Sequence, residues 1–181
     1  GGLGSAILVA IFGILAILVL EFGTFRSTLI VASVIPLGFV GGITFLALTG
    51  YSLSFVAIIG FVALVGIEIK NSILLVDATN QLRIEGMPLD QAIVRAGEIR
   101  FLPIVLTTAT AIGGLAPLAY QGAPLYAPLA IVIIGGLVSS TLLARIVTPV
   151  AYKLLPPAIV RAGGTTVVPV ASGLVETSVQ V

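Results

Sequence analysis

Apolar residues come in five long runs separated by polar breaks, over residues 3–20, 29–48, 53–76, 101–119 and 128–150. A bilayer-crossing helix needs about 20 mostly apolar residues, and each run reaches or approaches that length. The pattern predicts an all-α membrane protein, a bundle of five transmembrane helices. Most connections are short; the stretch 77–100 is longer and polar. Within it, Gly86-Met87-Pro88 predicts a break followed by a helix start, because Pro is favoured in the first helical turn. Leu89, Ala92, Ile93, Ala96 and Ile99 then recur at helical spacing. They predict a short amphipathic helix over 88–99, lying along the membrane surface. Two regions follow from this pattern: a membrane segment over 1–157 and a flexible tail over 158–181 with weak periodicity.

Composition removes the soluble alternative. Soluble domains carry about 25% charged residues; this chain has 8%, with 59% hydrophobic residues and a mean hydropathy of +1.28. A net charge of +1 leaves no basic patch for nucleic acid. With no cysteine and no histidine, disulfides, thiol chemistry and every mechanism needing imidazole are excluded. No Ser/Asp/His set, metal-ligand cluster or phosphate loop is present, so the expectation is a non-enzyme without metal or cofactor. The opening Gly1-Gly2-Leu3-Gly4 has neither an initiator Met nor a basic start. It is no signal peptide and reads as a cut inside a longer protein.

Charge also orients the chain. Arg26, Arg83, Arg95, Arg100, Lys153 and Arg161 lie in or beside the connections after spans one, three and five. The connections after spans two and four have none, and Tyr51, Tyr120 and Tyr126 suit an interface there. The positive-inside rule puts the Arg-bearing side and the C-terminal tail in the cytoplasm. Gly38 and Gly42, like Gly135 and Ser139, stand one turn apart and predict close helix packing. Pro36, Pro117 and Pro149 predict bends.

Lys70 is the most informative residue. It sits inside the third apolar run, where an ammonium costs roughly 2.5–3.5 kcal/mol on insertion scales. Such a charge is tolerated where it has a partner and a task, and proton coupling is the task a lone membrane lysine suits. Asn71 adjoins it, and Asp77, seven positions on, shares its helix face as a possible relay or interfacial group. Glu68 lies about 200° round the helix and faces different surroundings. Thr107, Thr108 and Thr110 are the notable polar groups of the fourth span, with Arg100 at its start; Arg145 reads as a snorkelling anchor. A neighbouring carboxylate that gains and loses a proton would make and break its pairing with Lys70 and so couple protonation to helix movement.

Three segments carry a resemblance. Gly66-Ile67-Glu68-Ile69-Lys70-Asn71-Ser72-Ile73-Leu74-Leu75-Val76-Asp77 resembles the tenth transmembrane helix of resistance-nodulation-division efflux pumps. Arg100-Phe101-Leu102-Pro103-Ile104-Val105-Leu106-Thr107-Thr108 is similar to the start of the eleventh, and residues 135–150 are similar to the last. The similar branch is the acriflavine-resistance-like subunit that exports hydrophobes and amphiphiles. The heavy-metal branch lacks the lysine in its pattern. The resemblance covers 1–157 and implies helices eight to twelve of a twelve-helix subunit. It implies a relay role for Lys70, with Thr107 as polar partner, Arg100 near the cytoplasmic end of the proton path and Asn71 beside the lysine. The family's paired aspartates belong to a helix without a counterpart here. Glu68 and Leu102 depart from one common family pattern.

The reading that follows is the C-terminal membrane part of a proton-driven multidrug antiporter, powered by proton-motive force. The resemblance implies a homotrimer in the bacterial inner membrane, joined to a periplasmic adaptor and an outer-membrane channel. The alternatives are a free-standing small subunit of a larger transporter and a truncated gene product.

Overall fold

The computed structural model describes residues 2–121, 123–157, 159–160, 165–170 and 173–178. Its helices are α1 (Gly2–Phe22), α2 (Phe25–Ala32), α3 (Ile35–Leu48), α4 (Phe55–Ile84), α5 (Leu89–Tyr120) and α6 (Ala127–Leu154). With α2 and α3 taken as one crossing over Phe25–Leu48, five segments among the described residues are long and apolar enough to span a bilayer.

Proline explains the interruption inside the second span. Pro36 has no N–H to donate to the carbonyl four residues back. The backbone tightens at Val34, whose N–H donates to Val31 O at 3.3 Å, and α3 resumes from there. Pro103 and Pro117 lie inside α5 and Pro149 inside α6, and these helices run on through them. In α4 the apolar run understates the helix, which continues from Val76 to Ile84. Its start is capped by the Ser54 hydroxyl, which accepts from Ala57 N–H at 3.2 Å. At its end, Met87 N–H donates to Leu82 O at 3.1 Å and Gly86 N–H to Arg83 O at 3.0 Å. This closure needs a residue in the left-handed region, and Gly86 supplies it with φ +98°.

The amphipathic segment expected at 88–99 is helical but is not a separate surface helix. It is the first third of α5, continuous with the fourth span. Ala92 and Ala96 are fully buried, and Leu89 and Ile93 pack against the cluster of Val76 and Tyr152. Burying that apolar stripe against protein stands the segment on end beside α4 and α6. Lys153 reaches Asp90 across this contact at 3.0 Å; both side chains are exposed, so the pair contributes about 0–1 kcal/mol.

Helix α6 is central and packs on α3, α4 and α5. One core cluster joins Leu46, Phe61, Leu64, Val132 and Leu137; a second joins Leu18, Ile30, Val31, Ile69, Val76 and Tyr152. Helix α1 leaves Leu8, Phe12, Ile17 and Leu20 exposed.

In the stretch read as a flexible tail, β1 (Ile159–Val160), β2 (Thr165–Val170) and β3 (Gly173–Ser178) pair antiparallel in the order β1-β2-β3. Val167 stands opposite Glu176 and Val168 opposite Val175. Thr and Val are the residue types that suit a pleated ribbon. Residues 158, 161–164, 171–172 and 179–181 of that stretch lie outside the described residues.

Candidate functional site

Helix α4 presents two polar faces. Lys70 and Asp77 are both exposed on the outside of the bundle, on the shared face their spacing predicts. Among the described residues, no hydrogen bond or ion pair reaches either side chain. Thr107 is exposed too, and its hydroxyl donates to Pro103 O one turn back at 2.9 Å. Arg100 is half-buried, and its Nε is enclosed without a hydrogen-bond partner. The structure therefore does not join Lys70, Thr107 and Arg100 by direct contact. Among the described residues it leaves Lys70 as an unpaired ammonium on the outer face of the third crossing.

The other face of α4 points inward. Glu68 is 2% exposed. Among the described residues, no well-formed hydrogen bond reaches either carboxylate oxygen; the Ser140 hydroxyl neighbours the carboxyl group and donates to Leu137 O at 3.3 Å. The carboxyl group lies against Gly38 of α3, so closely that a Cβ at that glycine would overlap it. Beside it is a cavity of about 70 Å³ between α4, α5 and α6, lined among others by Asn71, Ser72, Thr141 and Thr148. Asn71 thus belongs to the internal face as well as adjoining Lys70. The expected separation of Glu68 from Lys70 is what the structure shows.

Arg145 is not simply extended towards an interface. Its guanidinium stacks on the Phe101 ring of α5, 3.9 Å from the centroid. Nearby, Thr108 and Thr141 share a hydrogen bond of 3.0 Å between α5 and α6. Thr108, next to the expected Thr107, is the threonine that binds the bundle.

Arg83, read in the sequence as an orienting charge, also has a structural place. Arg83 is 3% exposed. Its Nη1 donates to Tyr152 Oη at 3.1 Å and to Pro157 O at 2.8 Å, and Tyr152 Oη donates to Asn80 Oδ1. Arg26 donates to the adjacent Pro156 O at 3.1 Å. Two arginines thus hold the chain where it leaves α6. Replacing Arg83 with Met leaves the Pro157 carbonyl without this donor, which costs about 1–3 kcal/mol. Thermal unfolding in detergent checks this, with a lower midpoint for Arg83→Met and a smaller drop for Arg83→Lys.

The profile of the AcrB/AcrD/AcrF family matches residues 3–156. The chain belongs to this family. It is a segment of the resistance-nodulation-division type of efflux transporter, as the three motifs implied. The multidrug resistance protein MdtC of Erwinia tasmaniensis is 41% identical over 150 residues, 81% of this chain and 15% of the relative. The swarming motility protein SwrC of Bacillus subtilis is 34% identical over 157 residues, 84% of this chain and 15% of its own. The cobalt-zinc-cadmium resistance protein CzcA of Cupriavidus metallidurans is 37% identical over 150 residues, 81% of this chain and 14% of its own. In structure, the chain is similar to a heavy metal efflux pump in its crystal form II, with a TM-score of 0.72 and 30% identity. That match covers 83% of this chain and 15% of the pump. The chain therefore spans about 15% of the length of these relatives. Relatives named for drug resistance and for metal resistance stand side by side, so family membership leaves the branch open.

Proposed function

We propose that this chain forms part of the membrane domain of a proton-driven exporter of hydrophobic and amphiphilic compounds, and that Lys70 is its contribution to the proton relay. The observation that carries the reading is the bare Lys70 ammonium on the outer face of an apolar crossing. A charge in that position calls for a partner. The described residues supply none, so the reading assigns the partner to carboxylates in the remainder of the subunit. Thr107 and Asn71 offer the lysine neutral polar groups when the pairing breaks, and Arg100 stands towards the end where protons leave. The arginine-bearing end is assigned to the cytoplasm of a bacterial inner membrane. The complete assembly is proposed to be a trimer with an adaptor and an outer-membrane channel.

The similarity to CzcA and to a heavy metal efflux pump favours a second reading, export of metal cations. The resemblance of the Lys70 segment to the drug-exporting branch favours the first. Everted vesicles carrying the intact transporter, with an imposed pH gradient, decide between them. Hydrophobic dye should be moved, and its movement should stop when the gradient is collapsed. Movement of zinc or cobalt ions without dye sinks the drug reading, and dye movement indifferent to the gradient sinks the proton reading.

A further inference from the structure

Helix α4 lines the cavity with Glu68, Asn71, Ser72 and Leu75, residues on successive turns of one face. At 1.5 Å per residue they span about 10 Å along the helix axis. On α6 the lining runs in parallel from Ser140 to Thr148. The cavity is thus a slot along the helices, with Glu68 and Ser140 at one end and Thr148 at the other. Polar groups recur along it. Its volume, about 70 Å³, accommodates a few water molecules. Two side chains in it are buried without hydrogen-bond partners, the Glu68 carboxyl and the Thr148 hydroxyl.

We propose that Glu68 is a second proton-exchanging group of the bundle, reached through the slot between α4, α5 and α6 and separate from the Lys70 face. Among the described residues no cation pairs with the carboxylate, and the neighbouring Ser140 hydroxyl is directed to Leu137 O; an ionised carboxylate enclosed in this way is costly, and taking up a proton removes that charge. Water in the slot delivers the proton, an O–H bond forms on the carboxylate, and the same proton leaves when that bond breaks. Among the described residues no ion pair holds Glu68. Gly38 of α3 and Phe101 and Ile104 of α5 bring no charge, and Lys70 on the same helix faces outward. Arg145 of α6 is the other charged residue in the lining, and its guanidinium is engaged with Phe101. A guanidinium in the wall disfavours a metal cation in the slot and leaves a proton as the ion exchanged.

What the proton drives rests on the reading of the chain as part of a proton-coupled exporter; the existence of the site does not. The test is infrared difference spectroscopy of the intact transporter in lipid, cycled between two pH values, in H2O and D2O. A carboxylic-acid C=O band sensitive to D2O should be lost in Glu68→Gln and shifted in Glu68→Asp. It should persist in Lys70→Ala. If Glu68→Gln does not accumulate, the shift in Glu68→Asp makes the assignment. A band unchanged by either Glu68 variant overturns the proposal. So does a band abolished by sodium at constant pH, which would make the slot a cation site. Unimpaired export by Lys70→Ala would overturn the lysine relay and leave the Glu68 band standing, so the two failures are distinguishable.

Discussion

Lys70→Ala, made in the intact transporter, should reduce proton-coupled export by about a hundredfold or more, the usual contribution of a proton-transferring side chain. The amount of protein in the membrane should not fall. Lys70 is exposed and makes no hydrogen bond or ion pair within the described bundle. Truncating it opens no cavity there, and removing an ammonium from hydrocarbon eases insertion by roughly 2.5–3.5 kcal/mol. A loss of export is therefore a loss of function and not of folding. Lys70→Arg refines the result. Arginine keeps the charge but does not give up its proton. Export by Lys70→Arg would reduce the role to charge pairing, whereas failure of both variants supports proton transfer. Normal dye export by Lys70→Ala, measured beside an equal quantity of wild type, removes the lysine from the mechanism.

The crossings were legible because bilayer thickness imposes a length on apolar runs, and composition alone displays it. Their ends were less legible, because a helix does not stop where hydrophobicity does. Asn80 and Arg83 continue α4 beyond Val76, since the polar side chains there find partners in Tyr152 and Pro157. Residues 88–99 looked like a surface helix because their stripe is apolar on one side only. That stripe meets Val76 and Tyr152, residues distant in sequence, and no local pattern announces it.

The candidate site divides in the same way. The 100° step from residue to residue separated Glu68 from Lys70 correctly. It did not say which of the two would be buried, because that depends on where α3 and α6 pack. Gly38 was read as a place for close helix approach, and the group that approaches it is the Glu68 carboxyl. Thr107 was favoured over Thr108 by resemblance, yet Thr108 makes the interhelical bond to Thr141. Lys70 stands out in the sequence by its cost, and the described residues place no partner beside it.

Gly41→Val should loosen the packing of α3 on α6 and destabilise the bundle. A Cβ at Gly41 would stand 2.5 Å from Gly135 O and overlap Ser139 Cβ; one at Gly135 would reach Gly41 O at 2.9 Å and overlap Phe45. The backbones of α3 and α6 are thus in mutual contact, and the Ser139 hydroxyl adds a bond to Leu37 O at 3.1 Å. In lipid, helices associate through such packing and hydrogen bonds, because apolar side chains gain nothing by leaving hydrocarbon for one another. Backbone cannot turn aside as a flexible side chain can, so valine forces the helices apart and weakens the Ser139 bond with them. Overpacking of this kind costs about 1–3 kcal/mol and occasionally more. The control is Gly113→Val in α5, where a Cβ meets nothing within 4 Å. Heating detergent-solubilised protein and following its monodisperse fraction by size exclusion should show early loss for Gly41→Val and little change for Gly113→Val. Equal resistance of the two variants would mean that α3 and α6 are not held by this contact, and with it would go the positioning of Gly38 against Glu68.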